Sequence, residues 1–198
     1  MILFEMANPD DDRNAWGYGH YMVSDSAQQN QGLAIRQDEW HVVQKNRDAF
    51  FELLPSFQQR AIYRYWEEKM LARGALPGRA DFDPVDVYRT LPWLNLVDVK
   101  WQPEQGSYRF RQRLIGTALT EKFNRDVTGG WYEDIYHPDY LEDHIRPLLE
   151  IIEGRKPCLT RIRFPSPDRK HVIYTRLMLP MASDGENVDL ILQVMNFD

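Results

Sequence analysis

Residues 110–130 read FRQRLIGTALTEKFNRDVTGG. The first half alternates. In an extended strand Tyr108, Phe110, Gln112 and Leu114 point one way, and Arg109, Arg111 and Arg113 the other. The strand is read over 107–115. Gly116 then lets the chain turn sharply from strand into a short helix at 117–123. Asp126 stands where its carboxylate can accept backbone N–H groups across a turn, and Gly129 and Gly130 permit the positive φ that such a turn uses.

Working outward, LNLVDVKW (94–101) is a strand and QPEQG (102–106) the turn after it. Val97, Val99 and Trp101 share its apolar side, with Asp98 and Lys100 opposite. PDYLEDHIRPLLEIIEG (138–154) is a helix starting near Pro138 or Asp139 and stopping at Gly154, and Pro147 is expected to kink or split it. CLTRIRF (158–164), HVIYTRLML (171–179) and VDLILQVM (188–195) are strands, with PSPDRK and PMASDGEN as turns. On the last strand Val188, Leu190, Leu192 and Val194 face one side, Asp189 and Gln193 the other. Strands joined by hairpin-length loops around a helical middle predict a two-layer α+β domain. Its five-stranded antiparallel sheet has an apolar face under the helices and a mixed-charge reverse carrying the arginines, Arg161 and Arg163 included. That reverse is expected to be solvated, or covered by an N-terminal helix bearing Glu67 and Glu68.

Before the sheet, residues 1–36 form a polar extension and 37–93 a helical lead-in. DEWHVVQKNRDAFFELL (38–54) places Val42, Val43, Phe50, Phe51 and Leu54 roughly on one helical face. Ser56 caps the next helix, 57–73, which has rows Phe57–Ala61–Tyr65 and Ile62–Trp66–Met70 and a stop at Gly74. Asp83 is expected to cap a further short helix with Pro84 at its first position, ended by Pro92.

The totals narrow the function. The chain of 198 residues has a formal net charge of -6, a poor match to nucleic-acid phosphates. Its one cysteine, Cys158, rules out an internal disulfide and multi-cysteine metal sites. No apolar run approaches the ~20 residues that span a bilayer, and no basic segment opens a signal peptide. A cytoplasmic protein is expected, with neither membrane nor nucleic acid as partner. His20, His41, His137, His144 and His171 are scattered, and no nucleophile–base pair or phosphate loop is visible.

The 110–130 segment resembles the PAS domain, through Gly116, Asp126, Thr128 and Gly129. GRKP (154–157) and LMLPM (177–181) fit the same pattern. The run YWEEKMLARGALPGRADFDPVDVYRTLPWLNLVDV is similar to the small stand-alone PAS-like proteins of alphaproteobacteria, through Tyr65, Trp66, Gly74, Pro77, Arg79, Pro84, Leu91 and Pro92. Together the likenesses cover about residues 60–198. They imply a PAS-like domain at 94–198 acting as a sensory or interaction module, not an enzyme. With no effector segment after the last strand, output is expected through a partner in trans or a homodimer built on the 57–73 helix. They also imply an internal cavity between sheet and helices, whose candidate wall is Phe123, Trp131, Tyr136 and His144. The cofactor stays open. Haem-binding relatives draw an axial histidine from a helix near the place of His144, whereas the Asn-Cys-Arg motif of photosensing relatives is absent. Cys158 reads as a small core residue. The alternative is an enzyme or small-ligand carrier of a cone-shaped α+β fold, in which Tyr136 and His144 would pair in a deep pocket.

Overall fold

The computed structural model describes residues 40–165 and 171–197, so the expected extension at 1–36 and the PSPDRK turn beyond Pro165 lie outside them. Chain order is β1 (Trp40–Val43), α1 (Arg47–Glu52), α2 (Phe57–Arg73), β2 (Leu94–Gln102), β3 (Ser107–Ile115), α3 (Thr117–Phe123), α4 (Tyr132–Ile135), α5 (Pro138–Gly154), β4 (Cys158–Pro165), β5 (His171–Met181) and β6 (Leu190–Phe197). Among the described residues the sheet is wholly antiparallel, with order β1-β4-β5-β6-β2-β3. The α+β fold is as expected, and a sixth strand joins the five. Residues 38–54 are not one helix: β1 pairs with β4, and Asn46 caps α1 by accepting from the Ala49 N–H at 3.0 Å. Val42 and Val43 are stiff β-branched residues, and the open edge of β4 satisfies their backbone.

α2 starts where Ser56 Oγ accepts from the Gln59 N–H at 3.2 Å and ends at Gly74, φ 70°. Its buried residues are Gln59, Ile62, Tyr63 and Trp66. Gln59 Nε2 donates to the carbonyls of Thr175 and Val194, each at 3.2 Å, and Trp66 Nε1 donates to that of Pro180 at 2.8 Å. The helix thus lies across β5 and β6. Phe57, from the other row, is 69% exposed.

This packing corrects the two-face picture. Leu177, Leu179 and Met181 pair with Val194, Leu192 and Leu190 to form the apolar layer beneath α2, so the reverse of the sheet is greasy there. The reverse is ionic at the β2–β3 corner, and Arg161 on β4 shares that face. The buried Asp98 takes Arg111 Nη2 on one oxygen at 2.7 Å and Arg113 Nη1 on the other at 3.2 Å. Glu67 pairs with Arg47 instead. β6 is turned over relative to the reading: Gln193 lies on the α3–α5 side and Leu190 under α2. The strand is central and buried from Leu190 to Met195, so alternation could not say which row faced which layer. Leu114 also changes sides. The register shifts between Leu96 and Val97, a bulge that turns Leu114 to the reverse face and leaves it exposed.

Local chemistry completes the frame. No α-helix follows Asp83. Its Oδ1 accepts from the Val85 N–H at 2.8 Å, tight turns follow, and Pro92 sits inside a 3-10 turn, Leu91–Trp93. Gly116 has φ -67°, so it is not there for a special φ: a Cβ would lie 2.3 Å from the Pro92 carbonyl oxygen. Asp126 Oδ1 accepts from the Thr128 N–H at 2.9 Å and Gly129 has φ 85°, as expected, while Gly130 stays outside that region. α5 runs through Pro147 unsplit.

Candidate functional site

The layer under α3–α5 is polar at its centre. Gln112 on β3, Asn95 on β2, Gln193 on β6, Arg176 on β5 and Thr160 on β4 cross the strands side by side, all buried. The amides connect in series. Gln112 Nε2 donates to Asn95 Oδ1, and Asn95 Nδ2 donates to Gln193 Oε1 at 3.4 Å. The series ends at Gln193 Nε2, which lies against the Tyr132 hydroxyl without a well-formed hydrogen bond.

Arg176 is 1% exposed. Its Nε and Nη2 have no partner, and no described carboxylate forms an ion pair with it. Its charge acts on Tyr132, Tyr136, Tyr174, His144 and Cys158. Burial holds the three tyrosine hydroxyls above their ordinary range, and the guanidinium partly offsets it. Burial, reinforced by Arg176, pushes His144 down to about 3, so the imidazole is neutral. Burial pushes the Cys158 thiol up to about 12, which keeps it protonated and unreactive. Among the described residues His144 Nδ1 is also without a hydrogen-bond partner.

A cavity of about 60 Å³ opens beside this layer. Ile115, Phe123, Val127, Ile135 and Met195 supply its apolar wall, and Asn95, Gln112, Arg125, Tyr136 and Tyr174 the polar one. Met195 pairs directly with Arg176, and Tyr174 is its neighbour along the same face of β5. Arg176 itself does not line the cavity; its neighbours Tyr174 and Met195 stand between the guanidinium and that space.

Of the residues singled out from sequence, Phe123 and Tyr136 line this cavity. His144 is buried behind Tyr136, the two rings stacked with centroids 3.8 Å apart and planes 25° apart. They meet face to face with no hydrogen bond between them, so the polar pair expected of a cone-shaped enzyme fold is not formed. Trp131 is elsewhere. Gly130 and Trp131 extend along the edge of β3, where the Gln112 N–H donates to the Gly130 carbonyl at 2.8 Å. The indole there carries the Arg109 guanidinium 4.0 Å from its ring centroid. Sequence reasoning missed Arg176, Gln193 and Asn95 as members of the site. The available signal for Arg176 was a lone charge in an otherwise apolar strand, and only the placing of β5 between β4 and β6 shows it to be buried. Among the described residues no three His, Cys, Asp or Glu side chains gather as metal ligands would, and no helix is long and apolar enough to cross a membrane.

Comparison with known proteins agrees with this architecture. No curated protein matches the sequence. Among solved structures the chain is similar to one titled "Structure of an RNA-binding Light-Oxygen-Voltage Receptor", with 14% identity, a TM-score of 0.42, and 80% of this chain and 38% of that chain covered. The chain thus spans well under half the length of that receptor. A family model described as PAS domain matches residues 55–196, taking in α2 as well as the sheet and the helices that bound the cavity. A helix-covered antiparallel sheet with an interior cavity, and a sequence match over most of its length, make this chain a member of the PAS domain family, whose members serve as sensory and interaction modules.

Proposed function

We propose that this protein is a cytoplasmic sensor without catalytic activity, which binds a small molecule in the cavity between the sheet and α3–α5 and passes a population shift to a protein partner. The cavity carries the reading: an interior space with an apolar wall on one side and converging polar groups on the other is the form that small-ligand sites take. The cavity is bounded by α3, the loop after it and the residue between α4 and α5, so an occupant would alter how these short segments sit on the sheet.

Native mass spectrometry of the freshly purified full chain tests this. The expected spectrum carries an added small-molecule mass that disappears on denaturation. A bare polypeptide mass in repeated preparations, with no small molecule able to raise the Tm, would count against it. The same spectrum counts subunits. α2 commits Ile62, Tyr63 and Trp66 to its own sheet and leaves Phe57 and Leu71 exposed. If a dimer forms on that outer row, Phe57→Asp with Leu71→Asp yields a monomer.

A further inference from the structure

Among the described residues Arg176 Nε, Arg176 Nη2 and His144 Nδ1 lie without partners beneath α4 and α5, and Tyr132 Oη and Gln193 Nε2 beside them meet only each other, without a well-formed hydrogen bond. Each can donate a hydrogen bond, His144 in the tautomer with its proton on Nδ1. Their side chains are all more than nine-tenths buried. A cluster of buried polar groups that make no well-formed hydrogen bond is costly in a folded protein, because each has given up water without full compensation. The cluster also holds a full positive charge that no described carboxylate neutralises.

We infer that the ligand is a small monocarboxylic acid with an apolar body, its carboxylate held by the Nε–Nη2 edge of Arg176 and its body in the adjoining cavity. This rests on the sensor reading above and names the chemistry of its ligand. Nε and Nη2 are the two donors along one side of the planar guanidinium, spaced to meet both oxygens of a carboxylate. Tyr132 Oη, His144 Nδ1 and Gln193 Nε2 are donors for the remaining lone pairs. Ile115, Phe123, Val127, Ile135 and Met195 give the body of the acid an apolar wall, and Arg125 on the polar wall adds a second cation. The void of about 60 Å³ places the ligand at the small end of the class. A phosphate would bring more charge, and no body for the apolar wall to receive.

The test uses the full chain and straight-chain acids of two to eight carbons, with benzoate, each matched to its neutral amide, and with inorganic phosphate as a further arm. Isothermal titration calorimetry is expected to find at least one acid binding tenfold or more tighter than its amide, and phosphate not binding. Arg176→Met should weaken that acid at least thirtyfold, and Arg176→Lys less. Arg111→Ala, on the other face, should leave it unchanged. Because the acid–amide pair is compared on the unaltered protein, the result does not depend on the variants folding. An amide that binds as tightly as its acid, or phosphate that binds in place of every acid, overturns the inference. If no acid binds but mass spectrometry finds a neutral small molecule, this inference fails and the sensor reading stands. If no acid binds and the spectrum is bare, both fall.

Discussion

Arg111 and Arg113 on β3 and Arg176, the lone arginine of β5, are all strand arginines set between uncharged neighbours. Their surroundings are opposite. The β3 pair keeps its guanidinium groups in reach of water and closes on Asp98, which is 2% exposed. Arg176 is shut off from bulk solvent, and no carboxylate among the described residues pairs with it. The first arrangement is satisfied within the chain and reads as architecture, one buried carboxylate answered by two cations. The second is unsatisfied within the chain, which is why a ligand is sought for it. Their place on a strand between uncharged neighbours does not tell which is satisfied, whereas the hydrogen-bond balance of each does.

The largest effect is expected from breaking the satisfied side. Replacing both Arg111 and Arg113 with Ala strands the Asp98 carboxylate, at a cost of about 3 kcal/mol, read by urea unfolding. A change near zero would mean that Asp98 reaches water. The next effect concerns acid. His144 is neutral in the fold down to about 3, held so by burial and by Arg176 on β5, with Tyr136 stacked on it. The unfolded chain takes up this proton near its ordinary value, about 6.5. Below that pH the unfolded state binds more protons, so this contribution is complete above about 6.5 and is lost as pH falls towards 3. The slope is up to about 1.4 kcal/mol per pH unit. His144→Phe should flatten the stability profile between pH 6.5 and 4.5, and an unchanged profile would place the acid sensitivity elsewhere.

Smaller and of opposite sign is the ligand-free response of the other arginine. Arg176→Met removes an unanswered charge and should stabilise the empty protein by about 1–2 kcal/mol, seen as a higher Tm. Destabilisation instead would show that the guanidinium has a partner within the chain, and the contrast between the two faces would be lost. The smallest effect is at the rim. Arg109 pairs with Glu133 and lies over Trp131 in reach of solvent. Arg109→Ala should cost no more than about 1 kcal/mol. A larger loss would make Trp131 part of a buried wall after all.

Much of the fold was legible where local chemistry decides it. Ser56 and Gly74 bound α2, Gly116 divides β3 from α3, and Asp126 closes its turn through its own carboxylate. Those signals act over a few residues and are written beside one another. β1 was misread because Val42 and Val43 suit a helical face as well as a strand, and the edge of β4 that settles the matter lies more than a hundred residues away. The site was legible only in part. Phe123 and Tyr136 come from the segments that cover any sheet of this kind, and both line the cavity. Trp131 lies near them in sequence and was drawn off to an edge by backbone pairing.

By itself, then, the sequence determined α2 with its caps, the strands from β2 onward with α3 and α5 in their order, and the polar character of β3, since each follows from propensity and spacing within a short window. The tertiary structure alone decided which row of β6 faces which layer, that α2 takes the reverse of β5 and β6, and that Arg176, Gln193, Tyr132 and His144 end together with polar atoms left without a well-formed hydrogen bond. Whether a side chain keeps its water or loses it is fixed by what packs on it from distant parts of the chain, and no local pattern carries that information.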